Sequence, residues 1–228
     1  MQMLDRDRLL HGDPAATDPF APTPANLHYP EIARLDMPSF WGAHTAWPLL
    51  DMDISDYAGA RDGVVRDFLV LVSESVEHEC QEIRHAAFMV DITDEARPFP
   101  VSTFQVPEAS GNFCDRGGRF GPHGFQESRH PLFFKKLVFF SWFNAGVRAV
   151  DVRDPFRPQE VGFYIPATTE QTAPRCVTIN GEERCKIVIQ TNNVEVDDRG
   201  FIYLVDRANT GLHIVELTGQ AREIADRR

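Results

Sequence analysis

The run Asp115-Arg116-Gly117-Gly118-Arg119-Phe120-Gly121-Pro122-His123 leads through Leu137-Val138-Phe139-Phe140-Ser141 to Asp151-Val152-Arg153-Asp154-Pro155, and its reading decides the fold. It holds a glycine-rich lead, a histidine at a strand start, three short strands of β-branched and aromatic residues, and a closing Asp-x-x-Asp-Pro turn. Working outward, the same parts recur. Residues 86–98 align with 146–158, and 211–218 form a third copy. The strands that precede these copies also align, at 68–73, 137–141 and 201–206. Two copies are followed by an outer strand and a proline, at 101–107 and 161–166. The first aspartate of each turn can bond backbone N–H groups, and proline then stops the strand.

Each unit reads as about four antiparallel strands, and four-stranded units at this spacing point to β-propeller blades. The expectation is an all-β chain. A polar, proline-bearing lead-in at 1–27 serves as linker or extended arm, and a partial propeller fills 28–228. Its three blades lie at about 40–107, 118–166 and 190–226, with part of a fourth before them. A closed propeller typically needs 4–8 blades. So the chain is expected either to be the C-terminal part of a longer propeller or to associate with a second copy.

Composition narrows the partners. The formal charge of −11 argues against a nucleic-acid backbone or an anionic membrane surface. No apolar run reaches the roughly 20 residues that span a bilayer, and the start Met1-Gln2-Met3-Leu4-Asp5-Arg6-Asp7-Arg8 lacks the apolar core of a secretory signal. The aromatic runs Phe133-Phe134, Phe139-Phe140 and Trp142-Phe143 read as packing between blades.

The cysteines speak to compartment. Asn180-Gly181 is a strong two-residue hairpin signal. Counting outward from it sets Cys176 opposite Cys185 in a non-hydrogen-bonded pair, the closer kind, which suits a disulfide and an oxidising compartment. Cys80 and Cys114 are left as a possible second pair with no local feature to set their geometry.

In a propeller the first strand of each blade lines a central channel. His44 and His123 start such strands in neighbouring blades, and imidazoles from different strands can ligate a transition metal or act as acid and base. Glu127, four residues past His123, falls on the same face of a regular strand. Asn193 is the matching polar group in the last blade, and Glu74 follows a second strand near the channel mouth. The bland alternative has each histidine bonding a backbone carbonyl to seal a blade junction. Arg119 and Arg207, with Arg116, are candidates for an anionic ligand, against ordinary ion pairs. The loop Glu77-His78-Glu79-Cys80-Gln81-Glu82-Ile83-Arg84-His85 is rich in ligand types but sits between strands, where a solvated loop with a disulfide suffices. Asp197-Asp198-Arg199-Gly200 lacks calcium-loop spacing and reads as a turn.

These blocks resemble the LVIVD-repeat family of bacterial β-propeller proteins over roughly residues 30–222. The likeness rests on 112–123, 137–158, and Thr191-Asn192-Asn193-Val194-Glu195-Val196-Asp197-Asp198-Arg199-Gly200 with Val205-Asp206-Arg207-Ala208-Asn209-Thr210-Gly211. It implies a longer, often exported, periplasmic or secreted protein. The Gly-Pro-His strand start is also similar to selenium-binding proteins, propellers in which histidines are implicated in copper-dependent thiol oxidation. Where relatives often read Gly-Pro-His-Asn-x-His-Glu, this chain has Gly124, Phe125 and Gln126 before Glu127. Two functions follow as expectations. One is an exported propeller that binds a protein or small-molecule ligand as a scaffold. The other is a metal-dependent enzyme of oxidase or hydrolase type with His44 and His123 in the channel.

Overall fold

The computed structural model describes residues 1–59 and 63–227. Residues 60–62, inside the first expected blade, and Arg228, at the end of the expected propeller region, lie outside the described residues.

The chain runs β1 (Gln2–Leu4), α1 (Arg6–His11), α2 (Pro24–His28), β2 (Glu31–Arg34), β3 (Ala43–Asp53), β4 (Val65–Ser73), β5 (Ala87–Asp91) and β6 (Phe99–Phe104). A short α3 (Phe113–Arg116) precedes β7 (Gly124–Phe125), β8 (Leu137–Ser141), β9 (Val147–Asp151) and β10 (Gln159–Tyr164). Then come the hairpin β11 (Pro174–Ile179) and β12 (Glu182–Ile187), the strands β13 (Thr191–Val196), β14 (Phe201–Asp206) and β15 (Gly211–Glu216), and α4 (Gly219–Asp226). The described residues are mostly β, in several small antiparallel sheets. Two are four-stranded, β3-β4-β5-β6 and β7-β8-β9-β10, and one is three-stranded, β13-β14-β15.

Strand alternation explains how the sheets stack. In β8 and β9, Val138, Phe140, Val150 and the following Trp142 and Val152 point one way, into a core shared with Phe68, Val70, Val72, Ala87 and Met89 of the first sheet. Leu137, Phe139, Val147 and Ala149 point the other way, onto Val194, Val196, Ile202 and Leu204 of the third. A period of two thus feeds two separate cores from one sheet. The first sheet repeats the device: Leu69, Leu71, Phe88 and Val90 pack under Met1, Met3 and Leu35 of the small β1-β2 sheet and its flanks. The aromatic runs lie in these layers, with Phe140 against Phe104 and Phe139 against Phe133.

The aspartate turns form as expected. Asp91 accepts from the Thr93 N–H at 2.9 Å and Asp151 from the Arg153 N–H at 3.0 Å. Asp94 and Asp154 repeat the bond two residues on, to Ala96 and Phe156. The Asn180-Gly181 hairpin keeps the expected register, with Cys176 opposite Cys185. They form a disulfide with Cα atoms 4.0 Å apart, and Cys80 pairs with Cys114.

Two expectations are corrected. The third sheet has three strands rather than four, because residues 219–226 form α4. Ala221, Ile224 and Ala225 recur at helical spacing and are all buried, Ile224 and Ala225 in the core shared with the third sheet, where a strand would expose alternate members. The lead-in is not an extended arm. Asp5 caps α1 by accepting from the Arg8 N–H, and Thr23 with Pro24 at the first position starts α2. Its first residues, Gln2–Leu4, pair with β2.

Candidate metal centre

The first strands of the repeating sheets, β3, β7 and β13, lie side by side. At the starts of β3 and β13 regular pairing breaks. Ala43 faces Ser73 and Thr45 faces Val72, so His44 is an extra residue, a β-bulge. Thr191 faces Asp206 and Asn193 faces Val205, so Asn192 is the corresponding extra residue. Bulges re-aim a side chain at the cost of one ladder position.

At His44 the result is an imidazole facing His123, with ring centroids 4.3 Å apart. Glu74, just past the end of β4, places its carboxylate between them. Its Oε2 lies 3.9 Å from His44 Nε2 and its Oε1 3.8 Å from His123 Nε2. The ligand atoms of all three residues lie within 4.8 Å of one another. Metal–ligand bonds near 2.0–2.2 Å at the tetrahedral angle set two ligands of one ion roughly 3.4 Å apart. The two histidine–carboxylate distances lie about 0.5 Å beyond this, and the widest pair would close by up to roughly 1.4 Å on binding an ion.

The second nitrogen of each ring is already engaged. His123 Nδ1 donates to the Asn192 carbonyl at 2.7 Å, which leaves the Nε2 lone pair toward Glu74. His44 Nδ1 meets Thr45 Oγ1 at 2.7 Å, again leaving Nε2 toward the carboxylate. Burial pushes the His123 pKa below its ordinary value, and the neighbouring His44 adds to this against the opposing Asn192 hydrogen bond. A neutral imidazole is the ligand form. Two imidazole nitrogens and one carboxylate are a donor set that suits a divalent transition ion.

Arg119 orients the carboxylate, donating from Nη1 to Glu74 Oε1 at 2.9 Å and to the Ser75 carbonyl at 3.3 Å. On the other side a cleft of about 940 Å³ opens against His44 and Glu74, walled by Phe40, Val76 and Ile83 among others. Such a cleft is large enough to hold a small organic molecule.

The remaining sequence candidates fall elsewhere. Glu127 stands outside the group. Strand β7 ends at Phe125, and Gln126 is buried, its amide bonded to the Leu137 carbonyl and the Phe139 N–H. The chain leaves the regular path there, and Glu127 is exposed, its N–H donating to Glu195. Asn193 is exposed too, and the bulge hands its expected place to Asn192. Arg207 donates to Asn192 Oδ1 at 3.3 Å. Glu74 was visible in the sequence only as a residue of undetermined register, and Asn192 acts through its carbonyl, which carries no residue-type signal.

Most of the loop 77–85 is spent on structure. Glu82 accepts from Ser75, Val76 and Glu77 and pairs with His85 at 3.1 Å. Burial alone would raise its pKa, yet the bonds from His85, Ser75 and Glu77 hold it below the ordinary value. Glu79 is buried against Arg184 and Lys186. Asp197 caps its own turn through the Arg199 and Phe201 N–H groups, so the Asp197–Gly200 segment is a turn. Burial opposes ionisation there, but bonds from Arg199, Phe201 and Tyr203 bring Asp197 down to about 2.

Comparison with protein-family models and with the curated proteins found no match to this chain.

Proposed function

We propose that the chain is part of an exported β-propeller of the LVIVD-repeat kind that holds one divalent transition-metal ion on His44, Glu74 and His123. The observation that carries this reading is the convergence of two Nε2 atoms on one carboxylate across two sheets. Two histidines and a carboxylate leave coordination positions open, the pattern of catalytic rather than purely structural sites. When bound, such an ion supplies Lewis acidity for hydrolytic chemistry or a redox centre for oxidative chemistry. The chain's own residues favour the neutral form of His123, orient the carboxylate through Arg119, and offer the apolar cleft beside His44 to a substrate. Two disulfides support an oxidising compartment. Among the described residues no helix is long and apolar enough to cross a membrane.

A second reading keeps the propeller as a binding scaffold without metal. It is favoured by the Arg119–Glu74 pair, which neutralises the carboxylate in the ion's absence. Zinc or iron titration by calorimetry, with elemental analysis, separates the two. The metal reading expects one ion per chain, lost in the His44→Ala/His123→Ala variant. No stoichiometric ion in the wild type would leave the scaffold reading.

The partner reading rests on the third sheet. Tyr203 pairs with Ile214 and Val205 with Leu212 on its outer face, and among the described residues no further sheet covers them. Ile214 and Leu212 are 56% and 60% exposed. We assign this face to further blades of a longer propeller or to a second copy of the chain, which native mass spectrometry would register as an oligomer.

A further inference from the structure

The ring of Phe143 is fully buried, and three cationic or titratable groups sit on it. His123 lies 5.4 Å from it, Arg119 5.4 Å and Arg207 5.8 Å. Arg175 joins them by donating to the Arg207 carbonyl. Among the described residues, Arg119 is the one of these arginines with a carboxylate partner, Glu74. Among the described residues neither Arg175 nor Arg207 is within ion-pair distance of a carboxylate. Arg207 makes one long bond to a neutral amide oxygen, and the buried Nε of Arg175 has no hydrogen-bond partner. Asp206, the carboxylate nearest in effect to Arg175, is occupied by the N–H groups of Gln190, Ala208 and Thr210.

Other arginines of the chain also lack a carboxylate partner, but these two stand beside the place where the strand starts converge, and Arg175 carries a buried Nε without a hydrogen-bond partner. The field is felt at His78: after desolvation, Arg119 and Arg175 are the main charges pushing its pKa down. His78 adds a buried Nδ1 with no partner. Guanidinium groups carry paired N–H donors that match planar or tetrahedral oxyanions.

We propose that Arg175 and Arg207, with Arg119 and His78, form an oxyanion subsite that binds the carboxylate or phosphate group of a small anionic ligand next to His44, Glu74 and His123. This deepens the metal-centre reading by naming the ligand class, but the arginines stand independently of the ion. The anion would complete the charge balance that the fold leaves open, and the rest of the ligand would extend toward the metal position.

The test is calorimetric titration of the metal-free chain with inorganic phosphate and, separately, acetate. The variants are Arg207→Gln and Arg175→Gln, with zinc titrated in parallel. At least one oxyanion should bind, with affinity lowered about tenfold in each variant, as expected for losing a charge-assisted hydrogen bond. Preference for phosphate indicates a phosphate ester and preference for acetate a carboxylic acid; either supports the subsite. Absence of binding by both anions, or unchanged affinity in Arg207→Gln, overturns it. If zinc binds and the anions do not, this inference alone fails. If the anions bind through the arginines and zinc does not, the metal reading alone fails. Arg207 is exposed, so its variant keeps the test valid should Arg175→Gln unfold.

Discussion

The second and third sheets have the same strand order and similar sequences, yet they are buried differently. In the second, all five residues of β8 are buried, as are four of five in β9. In the third, β14 and β15 alternate between inner and exposed positions. The cause is position in the stack. The second sheet is covered on both faces, by the first sheet and by the third. Among the described residues the third is covered by another sheet on one face only. The lesson is that a near-continuous apolar run such as Leu137-Val138-Phe139-Phe140 marks a sheet with two neighbours, and clean alternation marks a sheet with one.

The comparison can be broken most sharply at Phe140. Phe140→Ala is expected to cost about 3–5 kcal/mol in denaturant unfolding, because Phe104, Phe125 and Trp142 cannot close over the cavity. A cost below about 1 kcal/mol would mean that the second sheet is not the packed centre. Replacing Cys176 and Cys185 by Ser on the flank of the third sheet should cost less, about 2–3 kcal/mol, since it opens a short loop of separation 9. Thermal melts of the oxidised and double-serine proteins measure it.

Metal should act on the seam between the first two sheets. Saturating zinc at about 100 times its dissociation constant should stabilise the wild type by about 2.7 kcal/mol. The His44→Ala/His123→Ala variant should show almost none of this. The same seam sets a pH dependence. The folded pKa of His123 lies below its ordinary value of 6.5, so below about that pH the unfolded chain takes up a proton that the folded chain resists. Its contribution is therefore present above the unfolded value and is lost as pH falls from there through the folded pKa. A melting temperature that falls on acidification in the wild type, with a shallower slope in His123→Gln, is the expected pattern. Equal slopes would remove His123 as the cause.

At the far end of the scale is the exposed face of the third sheet. Ile214→Thr should change stability of the isolated chain by less than about 0.5 kcal/mol, as most surface changes do. A larger loss, together with a shift in native mass, would show that this face is covered in solution.

Much of the architecture was readable because it depends on short-range rules. Asn180-Gly181 demands a tight turn, and counting from it pairs Cys176 with Cys185. Asp91 and Asp151 cap their turns through bonds two residues away. The site was half legible. His44 and His123 stand out as glycine-associated strand starts, but their carboxylate partner was assigned to Glu127 on the premise of a regular strand. Strand β7 is two residues long, and that premise fails at Gln126.

The sequence by itself determined the strand pattern, the turn chemistry, the hairpin disulfide and the two histidines, because each is set by neighbours a few residues apart. Only the tertiary structure decided that Glu74 and not Glu127 meets those histidines, that Asn192 replaces Asn193, and that the last segment is a helix. A single bulged residue reverses which way every later side chain points. Whether a bulge is tolerated depends on what the neighbouring sheets offer to pack against it.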